Sequence, residues 1–226
     1  MREIVLDTET TGFDPFSGDR IVEIGAVELV GHMPTGKTYH QYINPERSMP
    51  QEAFEVHGLG DEFLKDQPKF AQIGQAFLDF VGDAKLIIHN AAFDMKFLNA
   101  ELGWMNLRQL PFDQAIDTLL IARKKFPGSP ASLDALCRRF NIDNSSRVLH
   151  GALLDSEILA EVYLELIGGR QPDFGLAQST QNTAGNRAED WVIPQRPRVL
   201  SPRLTQEERA AHSAFIEKLG DGALWK

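Results

Sequence analysis

One cysteine, Cys137, stands among 226 residues. A lone thiol excludes an internal disulfide and any multi-cysteine zinc site. Its neighbours Leu133, Leu136 and Phe140 recur at helical spacing, which predicts a buried, inert side chain. Long apolar runs are lacking too, and none approaches the ~20 residues that a bilayer-spanning helix needs. No charged segment leads into an extended apolar stretch near Met1, so the expectation is a cytoplasmic protein without membrane contact. Positive charge is scarce: 23 Lys and Arg face 32 Asp and Glu, for a net charge of −9. The deficit is uneven. Residues 177–226 hold seven basic and six acidic side chains, which leaves 16 against 26 before them. A broad basic surface for gripping nucleic acid is thereby excluded. A polyanionic substrate would have to be brought in by metal ions or by a partner.

What is present begins with Asp7-Thr8-Glu9-Thr10-Thr11-Gly12, directly after the apolar run Ile4-Val5-Leu6. Those three residues read as a short buried strand, with the acids at its end. Alternation along a strand turns Asp7 and Glu9 to one face and Thr8 to the other. Two neighbouring carboxylates that lose hydration require positive charge, and a divalent ion with oxygen ligands supplies it. Gly12 permits a sharp turn or the close approach of a ligand. A solvated strand end followed by a turn is the plainer reading of the same residues.

The hydrophobic content of 42% suffices for a core. Ile21 to Leu29 reads as a second strand, and Gly36-Lys37 as the turn into a third from Tyr39 to Ile43. Short connections between these runs predict an antiparallel meander. Pro50 suits the start of a short helix through Val56. Phe70, Ile73, Phe77 and Val81 mark an amphipathic helix over 69–81. Lys85 to Ile88 reads as a further strand. Helices are predicted over 92–102, 118–126, 133–140 and 152–167. The resulting fold class is α/β, a mixed sheet flanked by helices. One globular domain, residues 1–170, ends where Gly168-Gly169 stops the last helix.

Composition changes after that point. Residues 177–190 are rich in Gln, Ser, Thr, Asn, Ala and Gly, the signature of a flexible linker. Residues 191–226 carry Trp191, Phe215, Leu224 and Trp225, too few apolar groups to form a core of their own. Thr205-Gln206-Glu207-Glu208 has the form of a capping box opening a helix through Leu219. Such a tail reads as a segment that docks on a partner, the plainer alternative being a helix folded back on the domain.

Two further acids sit at element ends. Asp94, in His89-Asn90-Ala91-Ala92-Phe93-Asp94, follows a strand and opens a helix, where a capping acid is also favoured. Asp155, in His150-Gly151-Ala152-Leu153-Leu154-Asp155, falls on the face that Ala152, Ile158 and Leu159 bury, so it needs a partner or a metal. His150 lies just before that helix and projects beside the acid. Asp117 reads as a helix cap rather than a further ligand.

These three segments resemble, in order and spacing, the exonuclease motifs of the DEDD superfamily. His150, five residues before Asp155, matches its histidine branch. Glu52-Ala53-Phe54-Glu55-Val56-His57-Gly58 and Leu133-Asp134-Ala135-Leu136-Cys137 are similar to stretches of the proofreading exonucleases that serve bacterial replicative DNA polymerases. The resemblance implies a ribonuclease-H-like fold, followed by a flexible C-terminal tail, and removal of nucleotides from DNA 3′ ends with two Mg²⁺ or Mn²⁺ ions. It implies that Asp7 bridges the ions, that Glu9 and Asp155 hold the nucleophile-side ion, and that Asp94 holds the other. His150 becomes the general base, and Glu52 and His57 contact the terminal nucleotide along with Asp7, Glu9 and Asp155. Gln171-Pro172-Asp173-Phe174-Gly175-Leu176 resembles a sliding-clamp peptide anchored by Gln171, Phe174 and Leu176. Residues 191–226 are then expected to bind the polymerase catalytic subunit, and a small accessory subunit is a further expected partner. An exoribonuclease of the same superfamily and a non-catalytic polymerase scaffold are the alternatives.

Overall fold

The computed structural model describes residues 1–145, 147, 149–169 and 204–219. Five strands form one mixed sheet in the order β3-β2-β1-β4-β5. They are β1 (Arg2–Thr10), β2 (Ile21–Val30), β3 (Met33–Tyr42), β4 (Lys85–Ile88) and β5 (Ala115–Asp117). β1 pairs antiparallel with β2 and parallel with β4, so it lies at the centre with a neighbour on each side. β2 and β3 are antiparallel, while β4 and β5 are parallel. The mixed sheet with three antiparallel strands first is the predicted class.

Alternation along β1 splits the core in two. Ile4 and Leu6 pack with Phe70, Phe77, Phe97 and Leu98, from α3 (Phe70–Val81) and α4 (Ala91–Trp104). Val5 packs with Leu136, Ile158 and Val162, from α6 (Leu133–Phe140) and α7 (Ala152–Ile167). Side chains fully withdrawn from water on both faces explain the β-branched, uncharged run before Asp7. Cys137 is a buried free thiol in the second layer, as its spacing predicts.

Shorter helices are α1 (Gln51–His57), α2 (Asp61–Leu64) and α5 (Thr118–Lys125). Asp117 caps α5 by accepting from the Leu119 and Leu120 backbone N–H groups. α7 stops at Ile167, and Gly168 and Gly169 both take positive φ. Among the described residues, no helix is long and apolar enough to cross a membrane.

Several local expectations need correction. β1 does not end before Asp7 but runs to Thr10, so the acids sit within a paired strand. The β2–β3 turn is Gly31-His32, both at positive φ, with Val30 paired to Met33. That is the geometry of a two-residue primed turn, whose twist suits a hairpin. Gly36 instead lies inside β3, where pairing skips from Val27↔Thr38 to Leu29↔Pro34. This bulge, on an edge strand, accommodates Pro34 without a missing ladder bond in the sheet interior. Gly12 admits the Asp19 carboxylate rather than a turn residue's left-handed backbone, because a Cβ there would lie 2.4 Å from Asp19 Oδ2.

A second unit, beginning at Gly175, is described only for residues 204–219. It contains α8 (Gln206–Leu219), opened by the expected capping box. The Glu208 N–H donates to Thr205 Oγ1, and the Thr205 N–H donates back to Glu208 Oε2. Gln171, Phe174, Leu176 and the 177–190 segment lie outside the described residues.

Candidate active site

The fold carries the separated acids to one place. Asp7 and Glu9 follow Val5 on the α7 face of β1, and Thr8 follows Leu6 on the α4 face. Thr8 Oγ1 donates 2.7 Å to Asp94 Oδ1, which fixes the first turn of α4 against the strand. The turn into α4 is held by Asn90, in the left-handed region, whose N–H donates to Asp117 Oδ1. Asp155 lies in the first turn of α7, where Ser156 Oγ donates 2.9 Å to the Gly25 carbonyl. Gly25 is the β2 residue paired with Asp7. One glycine therefore brings α7 onto the strand pair next to the first acid.

Asp7, Glu9, Asp94, His150 and Asp155 all line one open cleft of about 580 Å³. Asp94 and Asp155 are 3% exposed and Glu9 is 8% exposed, so their charges are poorly hydrated. Burial, then Asp94, Glu9 and Asp155, holds the Asp7 carboxyl well above its ordinary range, with Arg147 acting against them. Burial and the charges of Asp155, Glu23 and Asp94 push Glu9 up to about 8. Burial raises Asp94 to about 7 despite the opposing hydrogen bond from Thr8. A cluster of acids that prefers protons at neutral pH has an unmet demand for positive charge.

A divalent cation fits that demand. Glu9 Oε1 is buried and has no hydrogen-bond partner. Glu9, His150 and Asp155 each present a ligand atom within 4.8 Å of the others. Hard carboxylate oxygens are the donors that Mg²⁺ and Mn²⁺ favour.

His150 is half-exposed at the cleft mouth, its Nδ1 3.5 Å from Asp155 Oδ2. Its N–H donates to the Val56 carbonyl, which ties the loop before α7 to α1. Burial, and next the Arg147 charge, lower its pKa from the ordinary imidazole value. His57 follows Val56 and is buried, its Nδ1 accepting from the Leu59 N–H. Burial lowers its pKa as well, and the Thr10 backbone and His150 lie close enough to perturb it. Glu52 is exposed in the first turn of α1, and neither it nor His57 is among the residues that line the cleft.

The sequence pattern did not single out Arg147, which enters the same cleft. Its guanidinium donates 2.7 Å to Asp155 Oδ2 and 2.9 Å to Asp134 Oδ1. Nor did it assign Thr8 its role as the support of Asp94. Thr8 faces away from Asp7 and Glu9, and that alternation was the available signal. Arg147 lies in a loop without periodicity, three residues before His150.

A central strand bearing paired acids, two helix-borne acids and an imidazole defines a nuclease class, and the Exonuclease family model matches residues 4–163. The chain belongs to that family, a class of metal-dependent 3′–5′ exonucleases. Along nearly its whole length it is similar to proteins named DNA polymerase III subunit epsilon. It is 52% identical to the Rickettsia felis protein over 225 residues, covering 97% of each chain. It is 45% identical to the Escherichia coli protein over 237 residues, covering 100% of this chain and 97% of that one. Among solved structures, the nuclease domain of 3′hExo, a DEDDh family member bound to rAMP, superposes with a TM-score of 0.63 at 21% identity. That match covers 74% of this chain and 91% of the other. E. coli ExoI in its complex with single-stranded DNA gives a TM-score of 0.63 at 18% identity, over 76% of this chain and 41% of the other. These likenesses establish the fold.

Proposed function

We propose that this chain proofreads for a replicative DNA polymerase, hydrolysing single-stranded or mispaired DNA 3′ ends to release 5′-mononucleotides. The observation that carries the reading is the convergence of Asp7, Glu9, Asp94, Asp155 and His150 on one cleft from three separate segments. A scaffold has no use for such a costly gathering of buried acids. The full-length relatives are named as subunits of DNA polymerase III, which favours a DNA end over RNA as the substrate.

Asp7, Glu9, Asp94 and Asp155 hold two Mg²⁺ or Mn²⁺ ions. Bound there, the ions supply positive charge for the attacking and leaving oxygens of phosphodiester hydrolysis. Thr8 keeps Asp94 oriented and favours its charged form. His150 takes the proton of the attacking water as general base, and a depressed imidazole pKa keeps it neutral at pH 7. His57 and Glu52, on α1 beside the His150 loop, contact the terminal nucleotide. Residues 191–226 bind the polymerase catalytic subunit, and Gln171, Phe174 and Leu176 bind the sliding clamp. A small accessory subunit joins the same cytoplasmic assembly. Tethering gives the acidic domain a high effective concentration of DNA ends that its own charge does not attract.

The test is digestion of single-stranded, paired and mispaired DNA ends with and without Mg²⁺, beside Asp7→Ala. Release of mononucleotides by the unaltered protein alone supports the reading. Equal inactivity of both proteins leaves only a scaffold, and faster attack on short RNA makes the chain an exoribonuclease.

A further inference from the structure

Arg147 occupies an unusual position for a side chain in a site that is short of positive charge. It is only 9% exposed, and its Nε and Nη2 both donate to Asp155, to Oδ1 and Oδ2 respectively. Nη1 donates 2.9 Å to Asp134 Oδ1 on α6. Nη2 also lies 2.9 Å from His150 Nδ1. Asp155 and His150 are two of the three groups that converge on the candidate cation position. One guanidinium thus engages one of the two acids and the imidazole of that trio.

The chemistry of the fourth contact is one-sided. A guanidinium has donors and no acceptor, so His150 Nδ1 must receive the bond through its lone pair. The neutral ring then carries its proton on Nε2. In that state neither ring nitrogen has a free lone pair, and the imidazole is unable to accept a proton from water. The same guanidinium places a fixed positive charge against both Asp155 oxygens, where it repels an incoming dication.

We propose that Arg147 is an internal counter-cation that divalent ions displace, so that loading the cations and unmasking the His150 base are a single event. This rests on the cation-dependent reading given above. Without ions, the Arg147 fork partly neutralises acids that would otherwise repel one another across the cleft. With ions, the guanidinium gives up Asp155 and stays paired to Asp134, which is itself 45% exposed and able to follow it into solvent. The displaced charge therefore keeps a carboxylate partner, which limits the cost of the exchange. His150 Nδ1 is freed in the same movement.

Mn²⁺ binding to the full chain, measured by electron paramagnetic resonance, separates the possibilities for the wild type and Arg147→Met. Methionine keeps an unbranched apolar stem and removes the competing charge. Its Mn²⁺ affinity is expected to rise about tenfold or more, while melting without metal moves to lower temperature. Unchanged or weaker Mn²⁺ binding by Arg147→Met, with normal binding by the wild type, overturns the inference alone. Failure of both proteins to bind Mn²⁺ overturns the cation reading of the site and the inference with it. If Arg147→Met does not fold, ¹⁵N spectra of the wild type decide. Mg²⁺ is expected to shift the Arg147 Nε–H and to change the His150 Nδ1 resonance from hydrogen-bonded to free. Spectra in which neither signal responds to bound Mg²⁺ overturn the inference.

Discussion

The backbone of Ala152 lies against Gly25 so closely that a Cβ on Gly25 would stand 2.1 Å from the Ala152 carbonyl carbon. Gly25 pairs with Asp7 across the sheet, and Ala152 opens the helix that carries Asp155. This contact sets the spacing between the strand acids and the helix acid. A backbone atom, unlike a side chain, has no rotamer by which to retreat.

Gly25→Ala is therefore expected to lie at or beyond the upper end of ordinary overpacking, about 3 kcal/mol of lost stability. Urea denaturation reads that loss directly. Mn²⁺ affinity is expected to fall with it, because α7 and Asp155 shift away from Asp7. A variant with wild-type stability and wild-type Mn²⁺ binding would show that the close approach does not position the site.

Stability without metal should fall as pH rises. Burial and mutual repulsion raise Glu9 to about 8 and Asp94 to about 7 in the folded protein. Unfolded, both return to ordinary carboxylate values, so between roughly pH 4 and pH 8 the native state binds more protons. Melting in EDTA is expected to drop from pH 5.5 to pH 8 by several kcal/mol, on the order of 10 °C for a chain of this size. Mg²⁺ or Mn²⁺ binds the ionised carboxylates and should narrow the drop. A melting temperature that rises over this range in EDTA would contradict the assignment of raised acid pKa values.

Much of this arrangement was legible beforehand, and the reasons are specific. Strand alternation alone put Asp7 and Glu9 on one face and Thr8 on the other. Helical spacing put Asp155 among buried apolar residues, and the position of Asp117 before α5 marked it as a cap. Signals failed where geometry depended on partners remote in sequence. His32 at positive φ is no conventional turn residue, so sequence alone points the hairpin to the nearby Gly36. Three residues are too few to show alternation, which hid β5. Arg147 became significant only through Asp134 and Asp155, 13 and 8 residues away along the chain.

The hidden support of Asp94 has its own consequence. Thr8→Val keeps the shape of the side chain and removes the donor to Asp94 Oδ1. That hydrogen bond favours the charged carboxyl, so its loss raises Asp94 further above about 7. Nuclease activity is expected to fall about tenfold at pH 6.5, the effect of one added pKa unit, and to recover at pH 9. Equal loss at both pH values would make Thr8 a packing residue instead.

The separation between domain and tail is equally testable. Every residue lining the candidate cleft lies between Asp7 and Asp155, and α7 ends at Ile167. Deleting residues 177–226 is expected to leave digestion of single-stranded DNA unchanged while abolishing co-elution with the polymerase catalytic subunit. Lost digestion would make the tail part of the nuclease, and retained co-elution would move the polymerase contact onto the domain.

His150→Ala distinguishes a base from a ligand. His150 contributes an atom to the candidate cation position, yet the buried carboxylates provide the larger share of the negative charge there. Mn²⁺ binding is therefore expected to survive the substitution, while kcat falls roughly 10²–10⁴-fold, the usual worth of a positioned general base. The pH profile gives a second, independent sign. Burial and the Arg147 charge hold the imidazole below its ordinary value of 6.5, so the His150 contribution to the acid limb should fall below that pH. Removing the ring should abolish this His150 limb, because no imidazole remains there to lose its base form on protonation. An unaltered acid limb in His150→Ala would assign the titration to the carboxylates, and an unaltered rate would remove His150 from the chemistry.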